Sequence, residues 1–384
     1  MKTLVLNLVS IFACKKHFLL TLLFISFLSF FNQSCKDDNA PTAPQKKILT
    51  AETLAKLEAA ADNIMMEKKV PGMIAYIAVE GEGELNITRG VGNLATNEPM
   101  NINNHFRIAS VTKTFTTEAV LILADEGKID LNKTISFYLP EYVIPGSDTI
   151  TIRMLGNMTS GLIDVLNDSA FNAVYYASHG TIKFTPEQLI TPLFNSQLQF
   201  TPGTQYNYCN SNTILLGLVI KKVTGKELKD VFAEKIFQPL GLKHTFWPET
   251  NFLPTPYHHG YTNFLETSNQ DVTYYGNSWG NAAGILISSI ADLKIWAKEI
   301  AEGNLLSANS KNERYLAGVA GSSYRFGVQS FGVFWGHTGA ILGWNTMVCY
   351  DKTKKITIIT HANSLDDEPA PYALVKFANV LGYY

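Results

Sequence analysis

The sequence predicts an α+β fold in which both chain ends share one antiparallel sheet flanked by helices, while the middle forms a mostly helical inserted subdomain. Three observations predict it. The stretch "MIAYIAVEGEGELNITRGVGN" after Gly72 reads as two β-rich runs around a Gly-rich turn, a hairpin signature. Near the other end "TMVCYDKTKKITIITHAN" repeats that signature around a polar turn. Between them apolar residues recur at helical spacing, as over residues 111–126 and 212–223, separated by Pro and Gly loops. The insertion spans about residues 105–315, and an active-site cleft would lie between it and the sheet. No repeat of about 20 to 50 residues is present, which argues against a solenoid or a propeller.

Taken in order, the chain opens with a basic cluster, an apolar run of about 14 residues from Phe18 to Phe31, and small polar residues. The run is shorter than the roughly 20 residues a spanning helix needs, so residues 1–34 read as an export signal. Cys35 follows Ser34 and opens the polar stretch "CKDDNAPTAPQKK", so residues 35–49 have the composition of a tether. The globular domain, residues 50–384, begins with Thr50 as an N-cap and Leu54, Leu57, Ala61 and Ile64 at helical spacing; "VPG" then ends that helix. A last helix closes the chain near Tyr372 to Leu381.

Bulk properties narrow the function classes. With 46% hydrophobic and 17% charged residues, 384 residues can bury a large core. The net charge of -2 comes from 31 basic and 33 acidic side chains without basic tracts, which disfavours nucleic-acid binding. Past Cys14 and Cys35 only Cys209 and Cys349 remain, too few for a disulfide framework, and both read as buried small hydrophobes. No His and carboxylate cluster has metal-ligand spacing and no H-E-x-x-H occurs, so neither metal nor cofactor is expected.

Three stretches carry chemistry. In "RIASVTKTF" Ser110 and Lys113 lie at i and i+3 of a predicted helix, one face and about one turn apart, so a hydroxyl and an amine share one space. Such a pair is a candidate activated nucleophile. In "PGTQYNYCNSNTILLGLVIKK" Tyr208 and Asn210 sit in a turn before an apolar helix, where a phenol and a carboxamide can point into a cleft. A phenol is a poor base unless cations favour its phenolate, and Lys113 could supply that field. In "WGHTGAILGW" Gly339 lets a ligand approach a strand backbone closely, and His337 and Thr338 can donate to a carboxylate or carbonyl.

Together, in this order, the three stretches resemble the serine β-lactamase and DD-peptidase superfamily, in the branch of class C β-lactamases and D-alanyl-D-alanine carboxypeptidases. Further matches are "VPGM", "LADEGKIDLNKTISFYLPE", "MTSGL", "IFQPLGLKHT" and "AAGILISSIADL". The resemblance implies a β-lactamase/transpeptidase-like fold with Ser110 as the acyl-forming nucleophile and Lys113 with Tyr208 as its base. It implies that Asn210 orients the substrate amide and that His337, Thr338 and Gly339 form the substrate-binding strand. The backbone amides of Ser110 and Ala340 would make the oxyanion hole, with the helix dipole assisting at Ser110. The junction at Cys35 resembles that of bacterial lipoproteins, implying an acylated cysteine and a periplasmic or outer-membrane location, with Asn32 standing where such junctions usually carry Leu.

Two departures qualify the resemblance. His337 replaces the lysine usual in class C β-lactamases, so a titratable group of unperturbed pKa about 6.5 stands where a fixed charge is common. Activity is expected to fall at alkaline pH if an imidazolium is required. Cys209 replaces the usual serine beside the nucleophile. The expected activity is hydrolysis of a D-amino-acid peptide, as in a D-alanyl-D-alanine carboxypeptidase, or of a related amide or ester. The alternatives are a class C-like β-lactamase or broad esterase, and more remotely a non-catalytic penicillin-binding receptor. Peptidoglycan stem peptides or β-lactams are the expected partners, and the sequence leaves the oligomeric state open. The aromatic residues of "FNAVYYASHG" and "YYGNSWG" either line the cleft and favour a hydrophobic acyl group or fill the core of the helical subdomain, and the core is the favoured reading because aromatics bury well.

Overall fold

The computed structural model describes residues 47–265 and 268–383. The expectations for residues 1–34, for most of the tether and for acylated Cys35 lie outside the described residues. Helix α1 (Ala51–Lys68) starts where Thr50 accepts a hydrogen bond from the Thr53 amide at 3.1 Å. It ends at Lys69, whose left-handed conformation (φ 52°) turns the chain before the Val70-Pro71-Gly72 stop. Leu57, Ala61 and Ile64 form its buried stripe.

The sheet has seven strands: β1 (Gly72–Val79), β2 (Gly83–Asn93), β3 (Glu98–Pro99), β4 (Gln329–Phe331), β5 (Phe334–Ile341), β6 (Trp344–Asp351) and β7 (Ile356–Ala362). Their spatial order is β3-β2-β1-β7-β6-β5-β4, all antiparallel. The N-terminal hairpin joins the C-terminal one through β1 and β7, with Ile77 opposite Ile358. Side-chain alternation then builds two cores. Met73, Ala75, Ile77, Met347, Cys349 and Ile358 face one side, packed with α1 and the closing helix α7 (Pro369–Val380). Ile74, Tyr76, Val348, Tyr350 and Ile359 face the other, merging with the core of the helical middle. Because both faces are covered, these strands read as nearly continuous apolar runs. Cys209 and Cys349 are unbridged and buried, one in each core.

Helices α2 (Thr112–Asp125), α3 (Ser169–Ala177), α4 (Asn210–Thr224), α5 (Ile290–Glu302) and α6 (Ala308–Tyr315) belong to the middle of the chain. Helix α2 is buried nearly all round, with Lys113, Glu118 and four threonines among its buried residues. Thr114 and Thr117 donate their hydroxyls to the Val111 and Lys113 carbonyls, so each can be buried with its proton satisfied inside the helix. Phe115 stacks on Trp296 of α5 at 3.7 Å between centroids, and the Trp296 indole donates to Thr114 Oγ1 at 2.8 Å. The helix carrying the predicted nucleophile pair is thus fixed against the layer covering the sheet.

A buried ion pair fixes its middle. Arg314 of α6 pairs with Glu118, both essentially without solvent exposure, and Arg314 Nη1 also donates to the Glu299 and Ile300 carbonyls at 3.3 and 3.2 Å. Burial raises the Glu118 carboxyl to about 7 even though Arg314 pulls it down. Removing the cation leaves that carboxyl without its partner. Arg314→Leu is expected to destabilise the protein by about 3–5 kcal/mol, read as a lowered urea midpoint with an unchanged slope.

Candidate active site

Ser110 sits in a single 3-10 turn, Ala109–Val111, immediately before α2. Ala109 adopts φ +47°, a strained conformation for an alanine, and three connections over-determine it. The Ile108 amide donates to Leu286 O at 3.0 Å, Leu286 N donates to Thr112 Oγ1 at 3.1 Å, and β5 presses from the other side. A methyl group on Gly339 of β5 would lie 2.1 Å from the Ile108 carbonyl oxygen. The glycine of the His-Thr-Gly stretch therefore admits the nucleophile turn itself, where the sequence suggested room for a ligand. Gly339→Ala is expected to push β5 from Ser110 and lower turnover at least about tenfold, with roughly 1–3 kcal/mol of overpacking strain. Steady-state rates alongside denaturant melts check both.

Lys113 is fully buried, with Nζ 2.9 Å from Ser110 Oγ and donating to Ala283 O at 2.8 Å. Burial lowers its ammonium from the ordinary 10.5 to about 7, with Asp164 pulling weakly the other way. Near neutrality much of Lys113 is a free amine. Its Nζ also lies 4.9 Å from the centre of the Tyr208 ring. The half-exposed Tyr208 places its hydroxyl end in the interior, where it meets the Ser110 side chain, and desolvation raises the phenol well above its ordinary value. Set against the expectation that Lys113 and Tyr208 act together as base, burial lowers the amine and raises the phenol, which favours Lys113 as the group without its proton.

His337 is also corrected. Its ring is 1% exposed, its Nδ1 donates to Thr338 O, and its Nε2 accepts from the buried Tyr324 hydroxyl at 3.2 Å. Burial, with Lys113 nearby, lowers it to about 3, so a neutral imidazole stands where an imidazolium was considered. Thr338 Oγ1 donates to Thr346 O at 3.3 Å. Asn210 is the first residue of α4, two residues before the start expected from periodicity. Asp164 Oδ2 accepts from Asn210 Nδ2 at 2.8 Å and from its backbone amide at 3.2 Å. The Cys209 thiol donates to Ile163 O at 3.3 Å, and burial raises it to about 12, so it is inert beside the site.

Ser110, Asn210 and Ala340 line one cavity of about 520 Å³, together with Phe171, Tyr175, Tyr176, Trp279, Ile341 and Leu342. Four of the aromatic residues from the two stretches, Phe171, Tyr175, Tyr176 and Trp279, line this cavity, and Phe171 and Trp279 also pack against the core; of the four Tyr175 alone is fully buried. No charged side chain lines the cavity among the described residues. Nor, among the described residues, do three His, Cys, Asp or Glu side chains gather as metal ligands would. Sequence reasoning missed Asp164, Tyr324 and the Ala283 carbonyl. Asp164 follows "MTSGL" as a turn-capping aspartate, its Oδ1 accepting from Leu166 N at 3.0 Å, which is a legible local signal. Tyr324 lies in a Gly and Ser loop without periodicity, and a carbonyl has no sequence signature.

Comparison with known proteins agrees with this geometry. The beta-lactamase family profile matches residues 57–378. Protein flp of Staphylococcus aureus (strain MW2) is 27% identical over 255 residues, 65% of this chain and 49% of that protein. The D-aminopeptidase of Brucella anthropi is 28% identical over 327 residues, 80% of this chain and 59% of that protein. The chain thus spans about half the length of the first of these and somewhat more of the second. The crystal structure of a D-stereospecific amidohydrolase from Streptomyces superposes with a TM-score of 0.73 at 29% identity, covering 85% of this chain and 97% of that one. A penicillin-binding protein homologue from Pyrococcus abyssi shares the fold, with a TM-score of 0.73 at 24% identity over 86% of this chain and 77% of the other. The profile match over residues 57–378, with two sheet-forming ends, a helical middle and a Ser-x-x-Lys pair on a buried lysine facing Tyr208, places the chain in the beta-lactamase family of serine hydrolases.

Proposed function

We propose that the protein hydrolyses amides of hydrophobic D-amino acids, and short peptides beginning with them, through an acyl-enzyme on Ser110. The observation that carries this reading is a nucleophile hydroxyl 2.9 Å from a buried amine lowered to about 7, opening onto an aromatic cavity. Lys113 takes the Ser110 proton as Oγ attacks the substrate carbonyl. The backbone amides of Ser110 and Ala340 receive the developing oxyanion, a role worth about 3–4 kcal/mol per donor. The protonated Tyr208 phenol gives its proton to the leaving nitrogen and recovers one through Lys113. Water then attacks the ester, with the same amine as base.

The choice among substrates rests on charge. A carboxypeptidase must bind the terminal carboxylate of its substrate, and among the described residues the cavity offers no cation: burial keeps His337 neutral and both its nitrogens are engaged. A neutral amide leaving group needs none. The similarity to a D-aminopeptidase and a D-stereospecific amidohydrolase supports the D configuration. Kinetics with D-phenylalanine amide, L-phenylalanine amide and a peptide ending in D-Ala-D-Ala test the reading. The D-amide is expected to lead both others by at least about tenfold in kcat/KM; a preference for the carboxylate-ended peptide would overturn it. Export and acylation of Cys35 are proposed from the leader alone, and Cys35→Ala is expected to move the protein from the membrane fraction to the soluble one.

A further inference from the structure

A second cavity of about 400 Å³ lies behind the wall of the first. The segment from Asn277 to Ile285 separates them: Trp279, Gly280, Ala283 and Gly284 face the catalytic cavity, while Asn277, Ser278, Asn281 and Ile285 face the other. Asn281 interrupts the segment with φ 37° and ψ -130°, a conformation L-residues rarely adopt. Strain of that kind marks places where the surrounding structure holds the backbone against its preference.

The wall is wired to the nucleophile. Ala283 O accepts from Lys113 Nζ at 2.8 Å and Ala282 O accepts from Thr116 Oγ1 at 2.6 Å, both from α2. Asn277 donates to Gly284 O at 2.9 Å and accepts from Arg107 Nη1 at 2.8 Å. Arg107 lies three residues before Ser110 in sequence and is 1% exposed. Among the described residues no carboxylate pairs with it and its Nε has no hydrogen-bond partner. Its Nη2 donates to the carbonyl of Asn251 at 2.7 Å, a residue that also lines the second cavity, and more weakly to Thr273 O at 3.5 Å.

The lining defines a ligand chemistry. Phe184, Leu218, Leu228, Trp247 and Ile285 make an apolar floor. The more exposed Lys183, Lys221, Lys229, Glu187, Glu227 and Glu249 make a rim of both signs, where Lys221 pairs with Glu227 and Glu187 and Lys229 with Glu249. A rim of both signs over an apolar floor suits a zwitterion with a hydrophobic side chain, and the uncompensated Arg107 behind Asn277 and Asn251 favours its carboxylate inward.

We propose that this cavity is a second ligand site for a free hydrophobic amino acid, and that its occupancy is relayed through the Asn277–Ile285 wall to the Ser110–Lys113 pair. The relay rests on the proposed function, since such an amino acid is the product of that reaction. Binding itself does not. The site then reports product accumulation to the catalytic base through the carbonyl that holds Lys113.

Calorimetric titration of D-phenylalanine into the full chain tests binding without turnover. Ile341→Trp fills the catalytic cavity, and Lys229→Glu reverses an exposed rim charge of the second. One site is expected to persist in Ile341→Trp and to weaken at least fivefold in Lys229→Glu. Loss of all binding in Ile341→Trp, or no weakening in Lys229→Glu, would overturn the site. With any hydrolysed ester as reporter, D-phenylalanine is expected to lower kcat in the wild type and to act only on KM in Lys229→Glu. Purely competitive inhibition in both would overturn the relay while leaving the catalytic assignment intact.

Discussion

Ser110→Ala is expected to lower kcat at least about 10⁴-fold while leaving the fold in place. The magnitude follows from what remains: the cavity still binds substrate and the oxyanion donors still point at its carbonyl, but no covalent path exists. The fold survives because, among the described residues, the Ser110 hydroxyl bonds to site groups, Lys113 and Tyr208, and the turn is held by Leu286 and Gly339. Steady-state assays and thermal melts on one preparation separate the two effects. Turnover near the wild-type rate would mean that another group attacks the substrate.

The second large effect concerns Lys113, and its sign distinguishes it from a histidine mechanism. Burial lowers its ammonium to about 7, and in the proposed mechanism the catalytic form is the neutral amine. The acylation rate therefore rises as pH climbs through about 7 and then levels off. His337, lowered to about 3, stays neutral across the same interval and adds no titration there. A required imidazolium would give the opposite slope, with activity falling as pH rises. Lys113→Met keeps the buried volume and removes the base, so a loss of about 10²–10⁴-fold and disappearance of the inflection are expected. A rate that declines from pH 6 to 8 in the wild type would contradict this assignment.

Much of this protein was legible because its periodicities are simple. The two hairpins announce themselves by β-branched runs around polar turns, and they pair in the structure through β1 and β7. Ser110 and Lys113 could be placed together because three residues along a helix return to the same face, and the structure puts their polar atoms 2.9 Å apart. What sequence could not convey is environment. A lysine and a histidine look charged on paper, yet full burial lowers Lys113 to about 7 and His337 to about 3. Phe171 and Trp279 have the composition of a core, and only the packing of α3 against the Asn277–Ile285 wall turns them toward a cavity. Gly339 was read for close approach of a ligand to the strand, and the structure adds a second reason for a glycine there, the Ile108 carbonyl, which is distant in sequence. Asp164 was visible as a capping residue, but its hold on Asn210 required a contact across 46 positions.

The central claim is a covalent ester on Ser110, and rapid acid quench of the full chain with a D-phenylalanine aryl ester, followed by peptide mass mapping, tests it most directly. The account predicts a transient gain of one D-phenylalanyl group on the peptide containing Ser110, formed together with a burst of aryl alcohol and absent from Ser110→Ala. Product formation with that peptide unmodified at every quench time, or the same gain on a different residue, would contradict it.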